Sequence, residues 1–187
     1  KKLSDIFSTS LNIIIVFSLI ILLFLETIGL WFVCNKMTIP TNRICAVIFL
    51  YESSIFSFIF SFLQVPYLAA VFSHEDMGVY AIISTIECFL KLLLALFLSF
   101  CLYDHLIFYG GGLFLIALFI LTSYLLICRM KYKECIWHKT NNKKLYKEIL
   151  SFGGWATFGS LANTGMVQGN TILINIFFGP LANVAFG

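Results

Sequence analysis

Five long apolar runs, separated by short polar stretches, set the pattern of this chain; they cover 11–33, 44–72, 79–102, 106–127 and 150–178. At about 1.5 Å of rise per residue, each is long enough to cross the roughly 30 Å of bilayer hydrocarbon with some tilt. In lipid, a helix satisfies every backbone group within one such run. The pattern therefore predicts an all-α, polytopic integral membrane helix bundle, with five transmembrane helices in this chain.

The polar residues inside the runs are informative because each is costly in hydrocarbon. On the second run Ser53, Ser57, Ser61 and Gln64 recur at helical spacing, within an arc of roughly 80°. That stripe faces protein or water, either as a small-residue packing seam or as the wall of a cavity. Pro66 removes a backbone donor and predicts a kink beside Gln64. The third run carries Glu87 and Lys91 at i, i+4 with Glu first, the favoured order for a same-helix ion pair. Ser84, Cys88, Ala95 and Ser99 extend their face. The pair either locks helix packing or offers Lys91 to an anionic ligand while Glu87 holds it. Glu26, near Trp31, suits snorkelling to the interface or a cavity, and Glu52 is within reach of Arg43. On the last run Gly153, Thr157, Ser160, Thr164, Gln168, Thr171 and Asn175 fall in an arc of roughly 80°, flanked by Asn163 and Asn170. A polar face through the whole run points to a cavity lining, with close packing as the alternative.

Composition agrees: hydrophobic residues make up 60% of the 187 and charged residues 11%, against roughly 45–50% and about 25% in soluble domains. The net charge of +3 is concentrated, because residues 128–149 hold seven of the twelve Lys and Arg. Such a loop stays on the cytoplasmic side and fixes the orientation of the whole. The same orientation places the Ser73–Gly78 turn on the cytoplasmic side and 35–43 and 103–105 outside. No aromatic and basic framework for nucleic acid accompanies the charge. His74-Glu75-Asp76 reads as a solvated turn ended by Gly78, and Cys135-x-x-His138 has no partner pair, so no metal site is expected. Six cysteines in such a chain do not form a secreted disulfide framework, although Cys34 and Cys45 flank one outer loop. The Gly110-Gly111-Gly112 run permits close approach or local unwinding in an otherwise uncharged fourth span. With no Met at the start and an end where a span finishes, the chain reads as an internal fragment. Its parts are 1–127, a group of four spans; 128–149, the basic loop; and 150–187, one further span.

From Phe7 to Gly187 the sequence resembles the bacterial polysaccharide exporters and O-antigen (lipid-linked oligosaccharide) flippases of the multidrug/oligosaccharidyl-lipid/polysaccharide exporter superfamily. The resemblance is carried by LETIGLWF at Leu25 to Phe32, QVPYLAAVFSHEDMGVYAIISTIECFLKLL at Gln64 to Leu93, LYKEILSFGGW at Leu145 to Trp155, and NIFFGPLANVAFG at Asn175 to Gly187. It implies a two-lobe transporter of twelve to fourteen helices in the bacterial cytoplasmic (inner) membrane. The five spans would be helices three to seven, with 128–149 the cytoplasmic inter-lobe loop and the last span opening the second lobe. It further implies flipping of a lipid-linked oligosaccharide by alternating access, with membrane lipids and polysaccharide-assembly proteins as partners. The substrate-binding candidates are Lys91, Glu87, Thr157, Ser160, Asn163, Thr164, Gln168, Thr171 and Asn175. No catalytic residue, cofactor or metal is called for, and no nucleic acid. Two alternatives stay open: a multidrug or cation exporter of the same superfamily using Glu26, Glu52 or Glu87, and a membrane-embedded enzyme of polysaccharide assembly.

Overall fold

The computed structural model describes residues 2–36, 43–98, 104–138 and 142–186; the side chains of Lys2, Cys34, Lys36 and 167–186 lie outside that description. All regular elements among the described residues are helical. They are α1 (Lys2–Phe24), a π-helical turn (Leu25–Gly29), α2 (Leu30–Lys36), α3 (Ile44–Leu63), α4 (Val65–Ser73), α5 (Met77–Leu98), α6 (His105–Lys131), a 3-10 turn (Lys133–Cys135) and α7 (Lys143–Phe186). The chain forms two compact units, residues 1–140 and 141–187.

In the first unit four helical stretches are long and apolar enough to cross a membrane: Leu3–Val33, Ile44–Ser73, Met77–Leu98 and His105–Lys131. They mark a multi-pass membrane protein. The first and fourth outrun their apolar segments. Arg129 and Lys131 occupy the last turn of α6, where cations complement the helix dipole and let the helix continue past the apolar run. At its start Asp104 caps α6, its carboxylate accepting from the Leu106 N–H at 3.2 Å. The second span breaks where Pro66 predicts, with Gln64 at the junction between α3 and α4.

Helix α6 lies at the centre of this unit. Its Ile116, Ile120, Tyr124 and Cys128, four residues apart, form one apolar ridge. They pack with Phe7 of α1, Val71 of α4 and Ile83 and Leu94 of α5. The three successive glycines let neighbours come close, and α6 is not unwound there. A β-carbon on Gly110 would stand 3.2 Å from the Leu50 Cα, and one on Gly112 would collide with the Leu94 side chain. A similar approach occurs at the π-helical turn. The Tyr51 hydroxyl lies over Gly29 and donates to the Leu25 carbonyl at 2.7 Å, a second donor to an oxygen that also accepts from the Leu30 N–H within the irregular turn.

The basic segment departs from the expected loop. Cys128 to Lys131 belong to α6 and Lys143, Lys144 and Lys147 to α7, while Lys139 lies outside the described residues. What joins α6 to the second unit is anchored at one end of the bundle. His138 Nε2 meets Asp5 Oδ1 at 2.7 Å, and its Nδ1 lies 3.0 Å from Ser8 Oγ and 3.1 Å from Ser4 Oγ. Trp137 Nε1 donates to Asn12 Oδ1 at 2.9 Å.

The His74-Glu75-Asp76 turn is likewise engaged. His74 stacks on Tyr132 with ring centroids 4.2 Å apart and meets Glu134 at 2.5 Å. Asp76 accepts from the Tyr132 hydroxyl at 2.7 Å and pairs with Lys131. The turn itself is closed by bonds from Glu75 N to Phe72 O at 3.0 Å and from Asp76 N to Val71 O at 3.1 Å. This is a Schellman arrangement. Its left-handed residue is Glu75, at φ 55°, and Gly78 sits inside α5. The turn is solvent-exposed, as the sequence suggests, but it is ended by Glu75 in place of glycine, and side chains from 131–134 fold back onto it.

Lys131 and then Tyr132 hold the Asp76 carboxyl below the ordinary carboxylate range. A carboxyl depressed on folding contributes stability above its unfolded pKa of about 3.9 and loses it as pH falls through the lower folded value. Amide exchange in 131–135, corrected for intrinsic rates, is therefore expected to stay slow at neutral pH and to accelerate below about pH 4. Asp76→Asn should make the same amides fast at neutral pH. Slow exchange there in the variant would remove Asp76 from the anchoring.

The second unit is the single helix α7, which runs beyond both ends of the expected span 150–178. Thr157 Oγ1 donates to the Gly153 carbonyl at 2.8 Å within it. Of the outer-loop cysteines, Cys45 is an exposed free thiol and the Cys34 side chain lies outside the description.

Candidate functional site

The polar residues of the second and third spans come together. Ser57 and Ser61 from α3, Gln64 at its junction with α4, and Glu87 and Lys91 from α5 line one cavity of about 100 Å³. Its remaining wall is the apolar face of α6, formed by Leu113, Ile116, Ala117 and Ile120. The local reasons are simple. Helical spacing brings Ser57, Ser61 and Gln64 to one side of α3, and the break at Pro66 ends α3 at Gln64. The four-residue spacing stacks Lys91 one turn above Glu87.

Lys91 Nζ donates to Glu87 Oε1 at 2.6 Å, with side-chain exposures of 53% and 32% respectively. The pair is thus half open along the edge of the cavity. Ser57 Oγ donates to the Ser53 carbonyl at 2.7 Å, and Ser61 Oγ to the Ser57 carbonyl at 3.0 Å. A hydroxyl has one hydrogen, so both serines present lone pairs to the cavity.

The stripe predicted on the second span divides. Ser53 is buried, and the β-carbon missing from Gly110 would lie 3.5 Å from its Cβ. It belongs to the packing seam, while the other three line the cavity. The face expected to extend Glu87 and Lys91 divides as well. Ser84 and Cys88 open with Thr85, Phe89 and Leu92 onto a separate shallow groove. They sit roughly 60–100° round the helix from Glu87. Ser99 lies outside the described residues.

On α7 the backbone is helical through Thr157, Ser160, Asn163 and Thr164, which keeps their predicted common side. The side chains of Gln168, Thr171 and Asn175 lie outside the description. Away from the cavity, Glu52 of α3 meets Glu26 of the π-helical turn; the sequence suggested Arg43 as its partner. Cys135 and His138 diverge. Cys135 is buried against Cys128, whose hydrogen bond, with burial, pushes the Cys135 thiol up, while His138 goes to Asp5. Among the described residues no three His, Cys, Asp or Glu side chains gather to hold a metal ion. The engagement of His74, Glu134 and His138 escaped sequence reasoning, since the partners lie 60 and 133 positions apart.

No protein-family model, curated protein or solved structure matches the chain.

Proposed function

We propose that the chain is part of a membrane transporter that flips a lipid-linked oligosaccharide, or a polysaccharide precursor, across the bacterial cytoplasmic membrane. The observation that carries this reading is the cavity holding Glu87 and Lys91 with Ser57, Ser61 and Gln64 inside otherwise apolar spans. Ionisable and amide side chains at membrane depth are costly, and a substrate pathway is a reason to keep them. The cargo's head group carries phosphates and many hydroxyls. Lys91 supplies a cation for the phosphates, with an ammonium exposed enough to leave Glu87 and meet an anion. Taken by itself, α7 carries hydroxyls and amides on its predicted polar face, the kinds of donor and acceptor that sugars need. Alternating exposure of such a site to either side, by rocking of helix bundles, moves the head group without covalent chemistry. On this reading the lysine-rich segment 128–149 is cytoplasmic, and the resemblance to polysaccharide exporters supports the choice of cargo. The test is export of surface polysaccharide by Lys91 and Glu87 variants in a strain lacking its own flippase.

A further inference from the structure

We propose that the groove between the start of α1 and α4 is a binding site for one phospholipid with a primary ammonium head group, its acyl chain lying along the groove and its ammonium on Glu134. The site stands without the translocation reading, because it needs only that these helices lie in a membrane.

Two helix faces build the groove. Leu3, Ile6 and Phe7 of α1 line one side, and Pro66, Ala69 and Ala70 of α4 the other. Each set follows the i, i+3, i+4 spacing of a single helix face. Phe7 meets the Tyr67 ring edge-on, with centroids 5.4 Å apart, which ties the two helices together. The two alanines offer only methyl groups, so a space of about 270 Å³ stays open between the helices. Both faces belong to membrane-length apolar stretches, the start of Leu3–Val33 and the end of Ile44–Ser73. The groove therefore opens where the first and second spans reach one face of the membrane.

Its polar end is distinct from its apolar length. From Leu3 to Ser10 the groove follows about 10 Å of α1, and its walls there are aliphatic and aromatic. At the Ser73 end it meets Glu134, the one charged residue among those lining it. Glu134 Oε1 meets His74 Nε2 at 2.5 Å. That hydrogen bond, more than any other influence, holds the Glu134 carboxyl below the ordinary carboxylate range, so it is ionised at neutral pH. A carboxylate accepts at two oxygens, and His74 engages one of them. Ser73 Oγ donates to the Ala70 carbonyl at 2.8 Å; its hydrogen is spent and its lone pairs remain.

Shape and charge together select the occupant. A volume of about 270 Å³ holds roughly nine groups the size of a water, at about 30 Å³ each. A segment of acyl chain fits that space, whereas another protein helix, about 10 Å across, does not. Glu134 repels an anionic head group and attracts a cationic one. A primary ammonium brings three N–H donors to a carboxylate and a hydroxyl that accept. The trimethylammonium of a choline lipid brings none, so the number of N–H donors is what the site reads.

The test uses the purified chain in detergent, washed free of co-purified lipid. Phosphatidylethanolamine, its N-methyl and N,N-dimethyl forms, phosphatidylcholine and phosphatidylglycerol, all with the same acyl chains, are added separately. Bound lipid is counted by native mass spectrometry. Phosphatidylethanolamine is expected to bind at least about tenfold more tightly than phosphatidylcholine or phosphatidylglycerol, the factor that about 1.4 kcal/mol represents, with affinity falling at each added methyl group. Glu134→Gln should lower phosphatidylethanolamine to the level of phosphatidylcholine. Ala69→Leu, a substitution at an exposed position that fills the groove, should weaken the binding of both. If Glu134→Gln does not fold, the methyl series on the wild type decides. Equal binding of phosphatidylethanolamine and phosphatidylcholine by the wild type overturns the site, as does a preference that survives in Glu134→Gln. Phosphatidylglycerol bound as tightly as phosphatidylethanolamine would mean an unselective lipid coat and overturns it too, and unchanged binding in Ala69→Leu removes the lipid from this groove. Loss of export with the lipid preference intact counts against the proposed function only, and the converse against this site only.

Discussion

Lys91→Ala is expected to cut polysaccharide export about 10- to 100-fold at matched protein level, with Lys91→Arg retaining most of it. The magnitude follows from one charge-assisted hydrogen bond to the cargo, of roughly 1.5–3 kcal/mol, at about 1.4 kcal/mol per factor of ten. Arginine preserves the charge and also forks onto phosphate oxygens. Glu87→Gln is expected to fall between these two, since the amide still orients Lys91 through its carbonyl while the carboxylate charge is gone. The ordering separates the readings. In an exporter of cationic drugs Glu87 is the ligand and Lys91 its competitor, so Glu87→Gln would cripple transport and Lys91→Ala would be tolerated. Equal export by all three variants would reduce the pair to helix packing.

The second large effect is structural. Gly110→Leu is expected to destabilise the first unit by about 1–3 kcal/mol or more, as overpacking of a tight core does. At this position even a methyl group would stand 3.2 Å from the Leu50 backbone, and Ser53 lies beside it. A backbone contact cannot step aside as a side chain can, so α3 and α6 must separate along their shared seam. Gly112→Leu meets the flexible Leu94 side chain instead and should cost less. Thermal unfolding in detergent with both variants checks the order. Gly111→Leu is the control, because a β-carbon there would make ordinary contact with the Phe49 ring at 3.8 Å. Equal loss at all three positions would mean that close approach is not the cause.

These outcomes bear on how far the sequence could be read. The four spans of the first unit were legible because twenty or more apolar residues leave a helix few alternatives in lipid. The break at Gln64 was legible because Pro66 lacks a donor. Helical spacing found Ser57, Ser61 and Gln64 on α3 and Glu87 with Lys91 on α5. It could not show that the two sets share a cavity, since that depends on α6 bringing α3 and α5 together. Nor could periodicity separate Ser53 from its stripe; the glycine that Ser53 packs against is 57 positions away.

The basic segment was misread for a different reason. Charge patterning reports sides of a membrane, not local structure. Helix α6 runs on through Arg129 and Lys131 because its C-terminus favours them. Beyond it, Tyr132, Glu134 and His138 find partners in the turn after α4 and in α1. At Glu75 the usual glycine of a left-handed helix end is missing, so the turn's shape was hidden while its position was plain.

The claim at the centre of this account is that water reaches the polar side of α3 inside the membrane. Substituted-cysteine labelling tests it: Ser61→Cys and Gln64→Cys, in a background without the native cysteines, treated with a membrane-impermeant thiol reagent in intact membranes. Phe58→Cys, an exposed α3 position pointing roughly 60° away from Ser61, is the lipid-side reference. The account predicts labelling at Ser61 and Gln64 at least about tenfold faster than at Phe58, the contrast between a wetted wall and hydrocarbon. Equal, slow labelling at all three positions would contradict it and leave the serines and Gln64 as packing residues.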